Sequence, residues 1–446
     1  MDWDVAAEQA FLQQCAEDLM QEAKRLGASA AEVAANSSQG LIVAVRKGET
    51  EKLEFIHSRG AGITVHCGQR RGSANTSDLS PEALTEAVRA AYRIATYAQE
   101  DPYSGLADAA LMAKEFKPLD IFHPWNLAPE QAIQIATECE AAGLAVDARI
   151  HNSDGANISS RTGVVCYGNS NQFIRSYAST HHSLSCGLIA QQDAEMQRDS
   201  WYETVRDWRD LPAAMQIGKK AGELAVSRLG SRTLKTGKVP VLFCADIARG
   251  IIGNFTAAIN GGTLYRKSSF LLDSLGKQIF PSWVSIKEFP HLPKGLRSAN
   301  FDGDGLATRE NEFVVNGVVN QYILDTYTGR KLNMPSSGNS GGVHNLFVSP
   351  GPDDFSALVK KMDKGLVVTE LMGQGINLVT GDYSRGAAGF WVEQGQIQFP
   401  VHEITIAGNL RDMFAHLVAV GSDIDRRGGI HTGSLLIEEM TLAGSA

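Results

Sequence analysis

Residues 40–74, GLIVAVRKGETEKLEFIHSRGAGITVHCGQRRGSA, alternate apolar and polar side chains around two short glycine-containing turns, RKGETEK and GQRRG. Alternation at period two belongs to half-buried strands, so the stretch reads as two successive hairpins. Helices are expected on either side of it. Upstream, MDWDVAAEQAFLQQCAEDLMQEAKRLG carries apolar residues at helical spacing. Downstream, LSPEALTEAVRAAYRIATYA opens with Ser80 suited to the N-cap and Pro81 to the first helical position, where its missing N–H costs nothing. The order then recurs: APEQAIQIATECEAAGL is a helix opened by Pro129, strand-like runs extend from about Ala148 to Ala190, and LPAAMQIGKKAGELAVSRL is a further helix. The pattern predicts an internal duplication, helix then meander then helix.

SRLGSRTLKTGKVP is rich in Gly, Ser and Lys and precedes an apolar strand, VPVLFCA, which places a domain boundary near residue 235 and divides the chain into 1–235 and 236–446. Either part is long enough to bury a core of its own. In ENEFVVNGVVNQYILDTY the pair Asn316-Gly317 lies between two β-branched runs, a strong hairpin signal, and FWVEQGQIQFPV reads as another hairpin. DDFSALVKKMDKG and GNLRDMFAHLVAVG read as amphipathic helices. Hairpins with segregated helices predict an α+β fold of two domains, the second rich in β-structure.

Hydrophobic residues make up 43% of the chain, charged residues 20%, and the net charge is −9. That acidic balance, without a basic cluster, weighs against nucleic-acid binding. The N-terminus lacks a basic segment before an apolar core, and no apolar run approaches the ~20 residues of a membrane-spanning helix. A cytoplasmic protein with no membrane partner is expected. The six cysteines are scattered without a C-x-x-C pair, so neither a disulfide framework nor a cysteine zinc cluster is indicated.

Motifs that carry chemistry are few. GNSGG at 338–342 fits G-x-S-x-G and would make Ser340 a nucleophile near His344, but it follows MPSSG and leads into another extended run, not from a strand into a helix. A flexible Gly-rich loop is the expectation. FDGDGLATRENEF begins like a calcium loop at Asp302 and Asp304, then has Leu306 and Phe313 where ligands belong, so a turn is expected. His181 and His182 are adjacent on a strand and point to opposite faces, while His402 and His416 are isolated. No H-E-x-x-H occurs.

LYRKSSFLLDSLGKQIF, LVVTELMGQG, TGDYSRGAAGFWVE and EITIAGNLRDMF, with GAGITV and SANTSDLSPEAL in the first half, strongly resemble the TldE (PmbA) branch of the TldD/TldE family over nearly the whole chain. The resemblance implies one subunit of a cytosolic zinc metallopeptidase in which TldD-type and TldE-type chains pair as a heterodimer and cleave extended polypeptides. Family roles include peptide-antibiotic maturation and antitoxin turnover, and an older label links the family to DNA gyrase. The catalytic branch carries H-E-x-x-x-H on a helix after the first strand of the second domain. The corresponding stretch here, ADIARGIIGNFTAAINGG, puts Asn254, Phe255 and Ile259 in those places, and residues 245–272 contain no His, Cys or Glu. The catalytic branch also uses a C-terminal Cys; here GIHTGS puts Thr432 near that place, beside His431.

A Thr hydroxyl is a poor substitute for a thiolate, and no general base remains to activate water. The resemblance therefore implies a non-catalytic subunit that binds no metal itself, zinc being held by the partner, and the sequence leaves open a homodimer when that partner is missing. Asp382, Arg385, Trp391, Asn409 and His431 are the candidate contacts to substrate or partner, and an Asp382–Arg385 ion pair within the chain is expected ahead of an intermolecular one. Two other readings stand beside this one: an autonomous peptidase, beginning with Ser340, and a protein-binding regulator of gyrase without proteolysis.

Overall fold

The computed structural model describes residues 3–444. Helix α1 (Val5–Arg25) starts where Asp4 Oδ1 accepts the Ala7 N–H at 3.0 Å, and it buries Leu12, Cys15, Ala16, Leu19 and Ala23, one stripe at three- and four-residue spacing. Strands β1 (Ala30–Arg46), β2 (Glu49–Cys67) and β3 (Arg70–Thr76) follow, then α2 (Pro81–Tyr97), capped by Ser80. The order repeats in α3 (Pro129–Leu144), β4 (Ile150–Asn169), β5 (Phe173–Gln192), β6 (Glu195–Val205) and α4 (Ala214–Ser227). The six strands form one antiparallel sheet, β3-β2-β1-β4-β5-β6, with the two meanders joined at β1 and β4, where Ala35 faces Cys166. Helix, meander and helix thus occur twice, as the sequence predicts.

These strands are long enough to carry two cores side by side. Val33, Ile63 and Val164 pack under α1 and α2, while Val43, Ile158 and Leu184 pack under α3 and α4. Within β1 the buried positions 31, 33, 35 and 41, 43, 45 share one parity, so all four helices cover the same face. The opposite face receives the connection 98–128 and segments of the C-terminal half, including Met112, Phe301 and Leu306 against Tyr167 and Phe173. β6 extends the sheet past the strand-like runs expected to end near Ala190; none of its residues is fully buried, which removes the apolar signal.

Helices α3 and α4 cross at small residues. A Cβ at Gly218 would stand 1.7 Å from the Cys139 carbonyl oxygen, and one at Gly143 would stand 2.7 Å from the Gly218 oxygen. Gly218→Ala is expected to push the helices apart and cost about 1–3 kcal/mol, read as a lowered urea midpoint; an unchanged midpoint would contradict the packing.

The C-terminal half contains β7 (Gly237–Phe243), α5 (Ala245–Ala258), α6 (Gly261–Tyr265), β8 (Ile286–Glu288), β9 (Asn311–Val315), β10 (Val318–Val319), α7 (Thr326–Leu332), β11 (Leu346–Val348), α8 (Phe355–Met362), β12 (Gly365–Met372), β13 (Asp382–Glu393), β14 (Gln396–Asn409), α9 (Leu410–Ala415), β15 (Leu417–Val420), β16 (Ile430–His431) and β17 (Leu435–Ala443). One sheet runs β14-β13-β12-β7-β17-β15, and β14 pairs again with β17 through Ile406 and Leu442, closing five strands into a barrel. The β12–β7 ladder is parallel, and a five-strand sheet, β10-β9-β8-β11-β16, lies beside the barrel. Asn316 and Gly317 both take positive φ (51° and 81°) at the β9–β10 turn, the backbone a two-residue hairpin requires.

One expected helix is corrected. In GNLRDMFAHLVAVG only Leu410–Ala415 is helical; LVAV is strand β15, because β17 offers it a ladder and its β-branched valines suit one. No helix among the described residues is long and apolar enough to cross a membrane.

Candidate functional site

Helix α5 leaves β7 at Cys244 and packs against β16. Phe255 has no exposed surface and sits in an aromatic cluster, 5.0 Å from Phe280 and 5.9 Å from Phe414 between ring centroids. Ile259 is equally buried, and Asn254 is half-buried on the same helix end. Thr432 is buried with its hydroxyl donating to the Gly433 carbonyl at 3.0 Å. His431 is 3% exposed, so its role is not that of a surface residue. Its ring stacks on Phe347 at 4.3 Å, neither ring nitrogen has a partner, and burial pushes its pKa down to about 4. An amide, two apolar side chains and a hydroxyl do not make a zinc donor set, and these residues do not fit the metal. Among the described residues no three His, Cys, Asp or Glu side chains converge as metal ligands.

Ser340 and His344 are not brought together as a catalytic pair. The Ser340 hydroxyl donates to Asp304 Oδ1 at 2.8 Å and its N–H to Asp302 Oδ2 at 3.0 Å. Asp302 also accepts the N–H groups of Asp304 and Leu306, so the FDGDG segment is a turn that anchors the Gly-rich loop. Burial and the neighbouring Asp304 push the Asp302 carboxyl up to about 6. His344 turns instead to the fully buried Glu288, which also takes the side-chain amides of Asn311 at 2.6 Å and Asn339 at 2.7 Å. That arrangement satisfies a buried carboxylate with donors and commits His344 to Glu288, so the Ser340 hydroxyl meets Asp304 and no histidine. His182 is likewise committed, to Ser160 and the His123 carbonyl, while His181 on the other face meets Thr204.

The expected Asp382–Arg385 pair is absent. Both lie on β13, and an odd separation along a strand turns them to opposite faces. Asp382 instead accepts from Thr380 at 2.6 Å and Asn409 at 3.3 Å, and Arg385 Nε donates to the Met372 carbonyl. Asn409 caps α9 by accepting the Arg411 N–H, and its amide donates to the Thr380 carbonyl. Trp391 is half-buried against the barrel with Lys364 over its ring at 5.8 Å. Residues 366–391 are therefore barrel strands β12 and β13 joined by a tied loop.

Sequence reasoning missed a cleft of 660 Å³ between β6 and α4 on one side and the barrel on the other. Trp201, Phe355, Phe390 and Ile397 provide apolar wall; Asp199, Glu203 and Asp246 line it, each pushed above the usual carboxylate range chiefly by burial. Cys244 also faces it, with burial pushing its thiol up, so no thiolate is available. Arg427 stacks on Trp201 at 3.9 Å, pairs with Asp425 at 2.9 Å and donates to the Tyr202 carbonyl at 3.1 Å, while Arg228 takes the Arg198 carbonyl at 3.1 Å. These guanidiniums occupy the outer edge of β6. The β2 edge is different: β3 pairs only with Ala61–Cys67, leaving 49–60 with a ladder on one side. The cleft is assembled from segments far apart in sequence and has no local motif.

Three family models match: PmbA/TldA metallopeptidase domain 1 over residues 31–95, the central domain over 122–229 and the C-terminal domain over 236–444. The chain is 47% identical over 414 residues to the metalloprotease PmbA of Escherichia coli O157:H7, covering 93% of this chain and 92% of that one. It is 46% identical over 440 residues to the PmbA homologue of Haemophilus influenzae, covering 98% and 97%. A Bacteroides thetaiotaomicron structure described as a candidate modulator of DNA gyrase superposes with TM-score 0.91 at 27% identity, covering 97% of this chain and 98% of that one. TldE from Thermococcus kodakarensis, at TM-score 0.83 and 19% identity over 96% of this chain and all (100%) of that one, shares the fold.

Proposed function

This chain belongs to the PmbA/TldD metallopeptidase family, and on that premise we propose that it is the zinc-free subunit of a two-chain peptidase. It shapes the assembly and presents extended polypeptide to zinc held by a TldD-type partner in the cytoplasm. The observation that carries the reading is Phe255: where the resemblance puts the catalytic glutamate stands a side chain with no exposed surface, inside the core of the C-terminal half. A general base there would need both a carboxylate and access to water. The one-sided β2 edge supports the substrate class, since an open ladder takes an extended chain by main-chain hydrogen bonds and tolerates varied sequence.

The test is cleavage of an unfolded polypeptide by this chain alone, by a TldD-type chain alone and by the two mixed, with and without a chelator. Cleavage by the mixture only, abolished by the chelator, is the expected result. Chelator-resistant cleavage by this chain alone would overturn the reading and send the search to Ser340. The gyrase label on the Bacteroides relative gives the second reading, a protein-binding regulator, which would be favoured by co-purification with gyrase and not with a TldD-type chain.

A further inference from the structure

The face of the N-terminal sheet turned away from its helices carries a second cleft, of 370 Å³, closed on the other side by the C-terminal half. That volume lies in the range of small-molecule sites. Three neighbouring strands build its floor. His66 on β2 stands opposite Arg71 on β3 and opposite Ala30 on β1, so Glu32, two residues along β1, shares their face.

The polar groups on this floor are not used up. His66 is 3% exposed, yet its Nε2 has no hydrogen-bond partner; the nearest carboxylate oxygen, Glu32 Oε1, is 3.6 Å away, too far for a hydrogen bond. The other Glu32 oxygen accepts the Tyr167 hydroxyl at 3.0 Å. With the His66 proton on Nδ1, which faces Ser104 Oγ at 3.4 Å, Nε2 is an acceptor. On the roof the Thr326 hydroxyl is also buried without a partner, while Asp304 is held by Ser340 and the Thr326 N–H. Arg71 is exposed at the rim, and no ion pair among the described residues engages it.

In that tautomer His66 Nε2, beside the Glu32 carboxylate in an acidic cleft, calls for a cationic donor. A divalent metal is disfavoured because no three His, Cys, Asp or Glu side chains among the described residues converge on a point. An ammonium needs no such shell, and its N–H groups reach Glu32 and His66. The unengaged guanidinium at the rim calls for an anion, and a carboxylate meets it in bidentate fashion. We propose that this cleft binds a small zwitterion, a free amino acid or short peptide, with its ammonium at Glu32 and His66 and its carboxylate at Arg71. The site does not depend on the two-chain peptidase reading.

The experiment is titration calorimetry of the full chain with glycylglycine, glycine, ethylamine and acetate. Glycylglycine or glycine is expected to bind, and which of them does so identifies the source; ethylamine and acetate are expected to bind at least about tenfold more weakly. Arg71→Gln and Glu32→Gln should each weaken the zwitterion by about tenfold or more. If Glu32→Gln fails to fold, the exposed Arg71→Gln carries the test. No binding of either zwitterion at about 10 mM, ethylamine binding as tightly as the zwitterions, or affinity unchanged in Arg71→Gln would overturn the assignment.

Discussion

A chain carrying Phe255→Glu is expected to lose about 5 kcal/mol or more of stability, enough to unfold the C-terminal half. Removing the ring from between Phe280 and Phe414 alone costs about 3–5 kcal/mol, as for other fully buried aromatics. The new carboxyl adds a desolvation penalty, because the cluster around position 255 is apolar. The triple replacement Asn254→His, Phe255→Glu, Ile259→His, which writes the catalytic pattern onto α5, should therefore yield an unfolded protein and not a zinc site. Phe255→Leu keeps apolar volume and should cost far less. Urea denaturation followed by circular dichroism, with zinc titration of any folded variant, distinguishes the cases. A triple variant that folds with the parent midpoint and takes up zinc would show that position 255 is not committed to the core.

Lowering the pH from about 7 to 4 is expected to remove about 3 kcal/mol of stability through His431 alone. Burial, with Arg426 and Arg249 nearby, holds its pKa at about 4, against 6.5 for an ordinary histidine. Between those values the unfolded chain binds a proton that the folded chain does not, so stability falls as the pH drops through 6.5 and levels off below 4, where both states are protonated. His431→Phe keeps a ring stacked on Phe347 and deletes two buried nitrogens that have no partner. At pH 7 it should be neutral or stabilising by about 1 kcal/mol, and its stability should fall less steeply toward pH 4 than the parent's. Parallel pH profiles for parent and variant would refute the assignment.

Periodicity and turn chemistry, written in the sequence by itself, determined the two helix–meander–helix repeats, the Asn316-Gly317 hairpin and the α+β class, because each rests on residues close along the chain. Ser80 and Pro81 mark the start of α2 for the same reason. The loss of metal-ligand chemistry in residues 245–272 was also legible, since it follows from residue type without any register. Tertiary structure alone decided what distance along the chain conceals. GNLRDMFAHLVAVG has helical spacing throughout, yet β17 takes its last four apolar residues into a ladder. Asp382 and Arg385 are near in sequence but on opposite faces of β13, and β6 is a strand only because β5 pairs with it along its length. Both clefts belong to this second class. Glu32, His66 and Arg71 share a face through strand register, and the roof over them comes from residues some 230 to 300 positions later. Local periodicity reports which face of an element is apolar; only long-range pairing brings two such elements, and the polar groups between them, to one place.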